Sequence, residues 1–313
     1  MKIVFMGTPE FAVPSLETLV AAGHEVGLCL TQPDRVQGRG HKLLFSPVKE
    51  KALELGIRVL QPTRVRGDEE LYAELAAYAP DVICVAAYGQ ILPENVLKLP
   101  RYGALNVHAS LLPRHRGAAP IQRAILEGDE KTGVTIMQMA AGLDTGDMMA
   151  RVALTIGDLD YPTLSAQLAA HGAWLLRETL AALEKGTATW EKQDDEKATY
   201  AGMITKADGR IDFPAQDAAA IIRMMRAFRP WPGIYCELDG EVMKILDAEA
   251  LAADERAAGQ TPGTVLAAGR EGIDIATRTG ILRVKALQMP GKKAMDADSF
   301  LRGRKIPAGT VLK

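Results

Sequence analysis

Short apolar runs alternate with stretches of helical spacing through the first half of this chain, and few architectures accommodate that rhythm. Residues 2–6 form a strand-like run that stops at Gly7, and residues 9–22 then carry Phe11, Leu16, Leu19 and Val20 at helical intervals until Gly23 ends the turn. A strand is expected over 25–31, a helix over 47–55 closed by Gly56, a strand over 58–60, a helix over 68–78 and a strand over 82–87. A strand over 103–107, a helix over 120–127 and a strand over 134–139 continue the series. Strands separated by helices imply a mostly parallel sheet covered on both faces. In such sheets the ligand crevice lies beyond the carboxyl ends of the strands, which directs attention to the residues after Met6, Thr31, Ala87, Val107 and Met139.

The second half reads differently. A long helix over 163–183 places Leu164, Leu168, His171 and Leu175 on one stripe, where a histidine is more often satisfied and half-buried than a ligand. After Gly186 the pattern dissolves into a polar, aperiodic stretch expected to link two domains. From Gly209 a helix over 215–228 precedes short β-like runs at 234–238, 242–248, 263–267, 272–277 and 281–289, mostly separated by glycine-containing turns. The expected fold is α/β: a Rossmann-like, mostly parallel sheet domain (1–189), a linker (190–208) and a small OB-like β-barrel (209–313).

The 313 residues carry 37 Lys and Arg against 39 Asp and Glu, a formal net charge of -2 that argues against broad adhesion to nucleic acid or anionic membranes. The balance hides a separation. Residues 209–313 hold 16 basic and 13 acidic side chains, and residues 278–313 hold nine basic ones against Asp296 and Asp298 alone. Three scattered cysteines (Cys29, Cys84, Cys236) sit in apolar runs without a CxxC pair, as reduced buried thiols do. With no secretory-type leader and no apolar run near the roughly 20 residues that span a bilayer, a cytoplasmic location is expected.

Several chemistries lack their motifs. The early turn "MGTPEF" has no GxGxxG, no GxxxxGK[ST] occurs, and the five histidines form neither HxH nor HxxxH. "GLDTGD" lacks the spacing of a calcium loop, so no metal is expected. The richest segment is "GALNVHASLLPRHRGAAPIQRAI", where a strand ends at Asn106-Val107-His108. Pleat geometry turns Asn106 and His108 to the same face at the crevice end. An amide donor beside an imidazole suits a carbonyl whose oxygen becomes anionic under attack. Taken in isolation, such a pair is more often merely polar trim at a sheet edge. "SLLP" behind it can wall a flat ligand or simply pack strand against helix. The loop "MAAGLDTGDMM" brings Asp144 toward the same crevice, where a carboxylate orients an imidazole. Ser110 lacks a nucleophile elbow and no cysteine is adjacent, so direct transfer to an attacking acceptor is the natural inference.

"NVHASLLPRHRGAAPI" followed by "GLDTGD" resembles the folate-dependent formyltransferases and their hydrolase relatives. "VFMGTPEFAVPSL", "TQPDRVQGRGHKLLFSPVK" and "FRPWPGIY" resemble the branch of that family whose acceptor is the methionine carried by initiator tRNA, over essentially the whole chain. The resemblance implies that 10-formyltetrahydrofolate donates the formyl group and that the methionyl amine attacks it through a tetrahedral intermediate. It implies Asn106, His108 and Asp144 as catalytic residues, with the pterin against Ser110, Leu111, Leu112 and Pro113 and near Tyr88 and Gln90. The long basic loop at 31–49 is then expected to meet the acceptor end of the initiator methionyl-tRNA through Arg39 and Lys42, which alone would read as a solvated surface loop. Lys292, Lys293, Arg302 and Arg304 are expected to contact the same tRNA. Two residues depart from the family's pattern: His115 where Trp or Tyr is usual, and His41 where a second Lys is common. Other members formylate an amino sugar nucleotide or glycinamide ribonucleotide, or release formate. A tRNA-binding module with an idle site is the non-enzymatic alternative, against which the presence of all three site residues speaks. A monomer is expected.

Overall fold

The computed structural model describes residues 1–37 and 42–313. It divides into two units, one of Met1–Ile121, Glu130–Gly157 and Thr163–Gly202, the other of Gln122–Asp129, Asp158–Pro162 and Met203–Lys313.

In the first half the strands are β1 (Lys2–Gly7), β2 (Glu25–Leu30), β3 (Arg35–Gln37), β4 (Lys42–Leu44), β5 (Arg58–Leu60), β6 (Val82–Ala86), β7 (Ala104–His108) and β8 (Arg116–Gly117). Between them lie α1 (Val13–Ala21), α2 (Pro47–Glu54), α3 (Glu69–Tyr78) and the short α4 (Glu94–Leu97). Then follow α5 (Pro120–Glu127), β9 (Lys131–Gln138), β10 (Met148–Thr155), α6 (Tyr161–Glu184) and β11 (Tyr200–Ala201). Two of these helix starts carry side-chain caps: Ser46 accepts from the Lys49 amide and Asp68 from that of Leu71.

Seven strands form one sheet in the order β10-β9-β7-β6-β1-β2-β5. The five from β5 to β7 are parallel, and β1 and β6 are almost wholly buried because helices cover both faces. The strand over 134–139, expected to run with the others, is antiparallel β9, pairing Leu105 with Gln138 and His108 with Thr135. Its partner β10 was not anticipated; as an edge strand it alternates half-buried and exposed residues from Ala150 onward. Strand direction depends on how the connection crosses the sheet, which apolar periodicity does not record. The chain order reverses between β1 and β6, so the crevice opens there. Thr8 and Gln32 both donate to the Tyr88 carbonyl at 3.2 and 3.1 Å and so tie the loops around that crevice together.

The polar stretch after Gly186 makes contacts of its own. Trp190 Nε1 donates to Gln138 Oε1, Glu191 exchanges main-chain hydrogen bonds with Met148, and β11 pairs with β8 in parallel.

The second unit holds α7 (Ala218–Ala227), β12 (Ile234–Leu238), β13 (Glu241–Leu251), β14 (Val265–Gly269), β15 (Gly272–Ala276), β16 (Ile281–Gln288), β17 (Met295–Asp296) and α8 (Ala297–Gly303). Its antiparallel sheet runs β12-β13-β16-β15-β14, with β17 added to β16. Residues 309–313 span the two edges: Lys313 and Glu237 exchange main-chain hydrogen bonds, while Val265 donates to Thr310 and Leu312 to Gly263. This closes the barrel and leaves neither edge open. The final helix, α8, carries too few apolar positions for periodicity to announce it. No helix among the described residues is long and apolar enough to cross a membrane.

Candidate active site

β7 ends at His108, and the chain turns immediately into the loop 109–115. Asn106 is half-buried and His108 is 5% exposed. The imidazole Nε2 donates to the His115 carbonyl at 3.0 Å, because a carbonyl only accepts. Its Nδ1 stands 3.6 Å from Asp144 Oδ2. That gap is wider than a hydrogen bond, and catalytic contacts commonly tighten only when substrate is bound. The same Oδ2 already accepts from the Gly117 amide at 2.8 Å.

Asp144 arrives by an unexpected route. Because β9 is antiparallel, its carboxyl end lies beside the start of β7, away from His108. The loop 139–147 therefore doubles back: the Gln138 amide donates to Asp147 O at 2.9 Å, which brings the two ends of the loop together. Gly146 allows that closure, since a Cβ there would lie 1.7 Å from Gln138 O. Asp144 itself has φ +50°, and Ala87 and His115 are likewise left-handed. Such conformations persist only where surrounding contacts over-determine them, and they cluster at functional sites.

The loop 110–113 is clamped from below. Thr135 Oγ1 on β9 donates to Ser110 O at 2.7 Å and accepts from the Leu112 amide at 3.1 Å. Ser110 Oγ donates to Arg114 O, and Leu112 is buried. These two side chains thus shape the loop, while Leu111 and Pro113 stay partly open. Tyr88 and Gln90 are similar. The Tyr88 ring packs in the core among Val4, Met6 and Leu28, where burial pushes its phenol pKa up. Gln90 accepts from the Val65 amide and donates to Pro62 O, both at 2.9 Å. Among the loops around the crevice, Ile91 (81% exposed) and Leu143 (61%) present open apolar surface that sequence spacing did not single out. Exposed side chains of this kind, next to polar groups, suit a flat organic ligand.

All three cysteines are buried and unpaired, and burial raises their thiols, Cys29 and Cys236 to about 12, which leaves no thiolate nucleophile at neutral pH. His171 is the satisfied residue expected of it, donating from Nδ1 to Gln167 O at 2.8 Å.

Of the expected tRNA contacts, Arg39 and the neighbouring His41 lie outside the described residues, and Lys42 opens β4. Lys292 and Lys293 are exposed. Arg302 pairs with Asp298, and Arg304 with Asp239 and Glu241 at 2.7 and 2.9 Å, so their charges are already matched within the unit. The second unit also carries an open cavity of about 540 Å3 lined by Lys206, Trp231, Tyr235, Val242, Lys244 and Met289, with Trp231 57% exposed.

Two family models match the chain: formyl transferase over residues 1–180 and formyl transferase, C-terminal domain, over residues 203–305. The chain is 49% identical over 314 residues to the methionyl-tRNA formyltransferase of Caldanaerobacter subterraneus, covering 100% of both. It is 51% identical to that of Aromatoleum aromaticum, covering 99% of this chain and 96% of the relative. Among solved structures, an N-formyltransferase from Helicobacter canadensis in complex with folinic acid and dTDP-3-aminofucose superposes with a TM-score of 0.63 at 18% identity, over 92% of this chain and 99% of that one. At that identity the likeness is one of fold.

Proposed function

We propose that this chain, which belongs to the methionyl-tRNA formyltransferase family, transfers the formyl group of 10-formyltetrahydrofolate to the methionine amino group of initiator methionyl-tRNA. The observation that carries the reading is the His108–Asp144 pair at 3.6 Å beside half-exposed Asn106, at the carboxyl end of β7.

The folate supplies an activated formyl carbon. The methionyl amine attacks it, a C–N bond forms, and the carbonyl oxygen takes up the negative charge. Asn106 donates its amide to that oxygen, and the imidazole of His108 donates beside it. Donors fixed before the reaction stabilise the developing charge without reorganising, and one of them is commonly worth about 3–4 kcal/mol of barrier. The attacking nitrogen gives up a proton as the intermediate collapses, and the leaving nitrogen of the folate takes one up. His108, held against the Asp144 carboxylate, moves it between them. The pterin lies along Leu111 and Pro113 with Ile91 and Leu143 as further apolar walls, and the main chain of residues 86–90 and 140–144 meets its polar edge.

Lys292 and Lys293 take tRNA phosphates, with Arg39 and Lys42 at the acceptor end. Arg302 and Arg304 contribute less, since they must first give up their carboxylates. The cavity with Trp231, Tyr235, Lys206 and Lys244 suits an unpaired base with its phosphate. The enzyme acts as a cytoplasmic monomer and requires no metal.

The test is an acceptor panel with 10-formyltetrahydrofolate: charged initiator tRNA, charged elongator tRNA, an amino sugar nucleotide, and water. Formylation of the initiator alone is expected, with KM rising steeply with salt as phosphate contacts weaken. Formate release without transfer, or transfer to the sugar nucleotide, sinks the proposal.

A further inference from the structure

A chain of side chains from the polar stretch after Gly186 ends on the loop that carries Asp144. Arg116 is 2% exposed, and its Nε and Nη2 donate to Gln193 Oε1 at 3.0 and 2.9 Å. Its Nη2 also reaches Asp195 Oδ1 at 2.7 Å. With its oxygen taken, Gln193 turns its nitrogen the other way, and Nε2 donates to both Asp144 O and Gly146 O at 2.7 Å. The amide has one orientation available. Flipped, it would set its NH2 against a guanidinium and its oxygen against two carbonyls. Glutamine combines the acceptor and the two donors in one plane, which neither Glu nor an apolar residue does.

Asp144 is thus held twice. Gln193 fixes its main chain, and the Gly117 amide fixes its carboxylate at 2.8 Å. Both holds trace to β8, which is pinned in turn by β11 and by Thr199, whose Oγ1 accepts from His115 N and whose carbonyl accepts from Arg116 N, each at 2.8 Å. Gly117 makes the pairing possible, because at its φ of +118° a Cβ would lie 2.6 Å from Ala201 O. A left-handed Asp144 at the tip of a loop needs such bracing, since a solvated aspartate there would relax away from His108.

We propose that Gln193 is a positioning residue for formyl transfer: anchored by buried Arg116, it holds the Asp144 loop so that the carboxylate faces His108. The inference rests on the reading of the reaction given above.

Gln193→Glu keeps side-chain length and an acceptor for Arg116 but removes both donors to the loop. Its kcat is expected to fall about 10- to 100-fold, the size of effect a misplacement near 1 Å produces, with KM for the tRNA within about 2-fold. In an Asp144→Ala background the same substitution is expected to change kcat by less than about 2-fold, because the group it positions is gone. Hydrogen exchange of residues 139–147 in the ligand-free protein is expected to accelerate in Gln193→Glu while the β1, β2 and β6 amides stay protected. Parental kcat in Gln193→Glu, an equal loss in both backgrounds, or unchanged exchange in the loop overturns the proposal. Absence of formyl transfer in the unsubstituted protein would instead reject the functional reading, and the exchange measurement would still decide whether Gln193 holds the loop.

Discussion

His108 faces two acceptors at once, a main-chain carbonyl on Nε2 and a carboxylate on Nδ1. The 3.0 Å contact fixes the ring, and the 3.6 Å gap to the carboxylate is the one that substrate binding can close. The carbonyl belongs to His115, and that contact uses only the main chain of the residue. The His115 amide is held by Thr199, whose hydroxyl also lies 3.5 Å from the His115 ring nitrogen Nδ1. His108→Ala removes the ring and leaves the buried His115 carbonyl without that donor. A loss of about 1–3 kcal/mol in stability is expected, and the fold survives it. The kcat for formyl transfer is expected to drop at least 10²- to 10³-fold with tRNA affinity near normal, read by single-turnover kinetics beside a thermal melt. Activity within a few-fold of the parent would remove His108 from the mechanism.

At the scale of elements, β9 supports the site from underneath, with Thr135 directly opposite His108. Thr135 is completely buried and satisfies two main-chain groups of the loop 110–113 with one hydroxyl. Thr135→Val keeps the shape and strands both groups, each unsatisfied buried group costing about 1–3 kcal/mol. Two such groups amount to about 2–6 kcal/mol, so for a domain of this size the thermal midpoint should fall by at least about 4 °C. Since the loop is proposed as a wall for the pterin, KM for the folate should rise while KM for the tRNA stays put. A melt unchanged within a degree would show that the clamp does not hold. The barrel has a comparable element-level device, in which β15 and β16 set Asp274 directly opposite Arg283. Arg283 Nε and Nη2 reach the two carboxylate oxygens at 2.7 and 2.9 Å, and Arg256 adds a third contact at 2.7 Å.

Across the whole molecule, charge is paired more closely than composition suggests. Of the nine basic residues in 278–313, Arg278, Arg283, Lys285, Arg302 and Arg304 each meet a carboxylate. Lys292, Lys293, Lys305 and Lys313 make no ion pair among the described residues, so a tRNA would meet lysines here before arginines. These pairs also give stability a pH dependence. Burial alone would raise the Asp274 carboxyl, but its hydrogen bonds and charge contacts with Arg283 and Arg256 outweigh that and hold it below the usual carboxylate range. A carboxyl lowered in the folded state stabilises fully above its unfolded pKa of about 3.9, and that contribution is lost as pH falls through the folded value. Denaturant midpoints should therefore be flat near neutrality and decline below about pH 4. Asp274→Asn should flatten the decline and lower stability at pH 7, and an unchanged acid limb would refute the assignment.

By itself the sequence determined the α/β class, the small barrel, and the residue types at the crevice. Strand and helix periods are local, and Asn106 and His108 share a face through the pleat alone. Asp144 was legible as a residue type in its motif, yet its path was not, because the direction of β9 depends on the tertiary crossover. Gln193 left no local signal at all: its partners Arg116 and Asp144 lie 77 and 49 residues away, in a stretch whose polarity read as linker. The closing of the barrel by residues 309–313 and the neutralising of Arg304 by Asp239 and Glu241 were decided in the same way, whereas Arg302 meets Asp298 one turn away on its own helix. Periodicity reports which face of an element is buried, whereas long-range hydrogen-bond partners and ion pairs are chosen only when distant segments arrive at one place, and that arrival belongs to the tertiary structure.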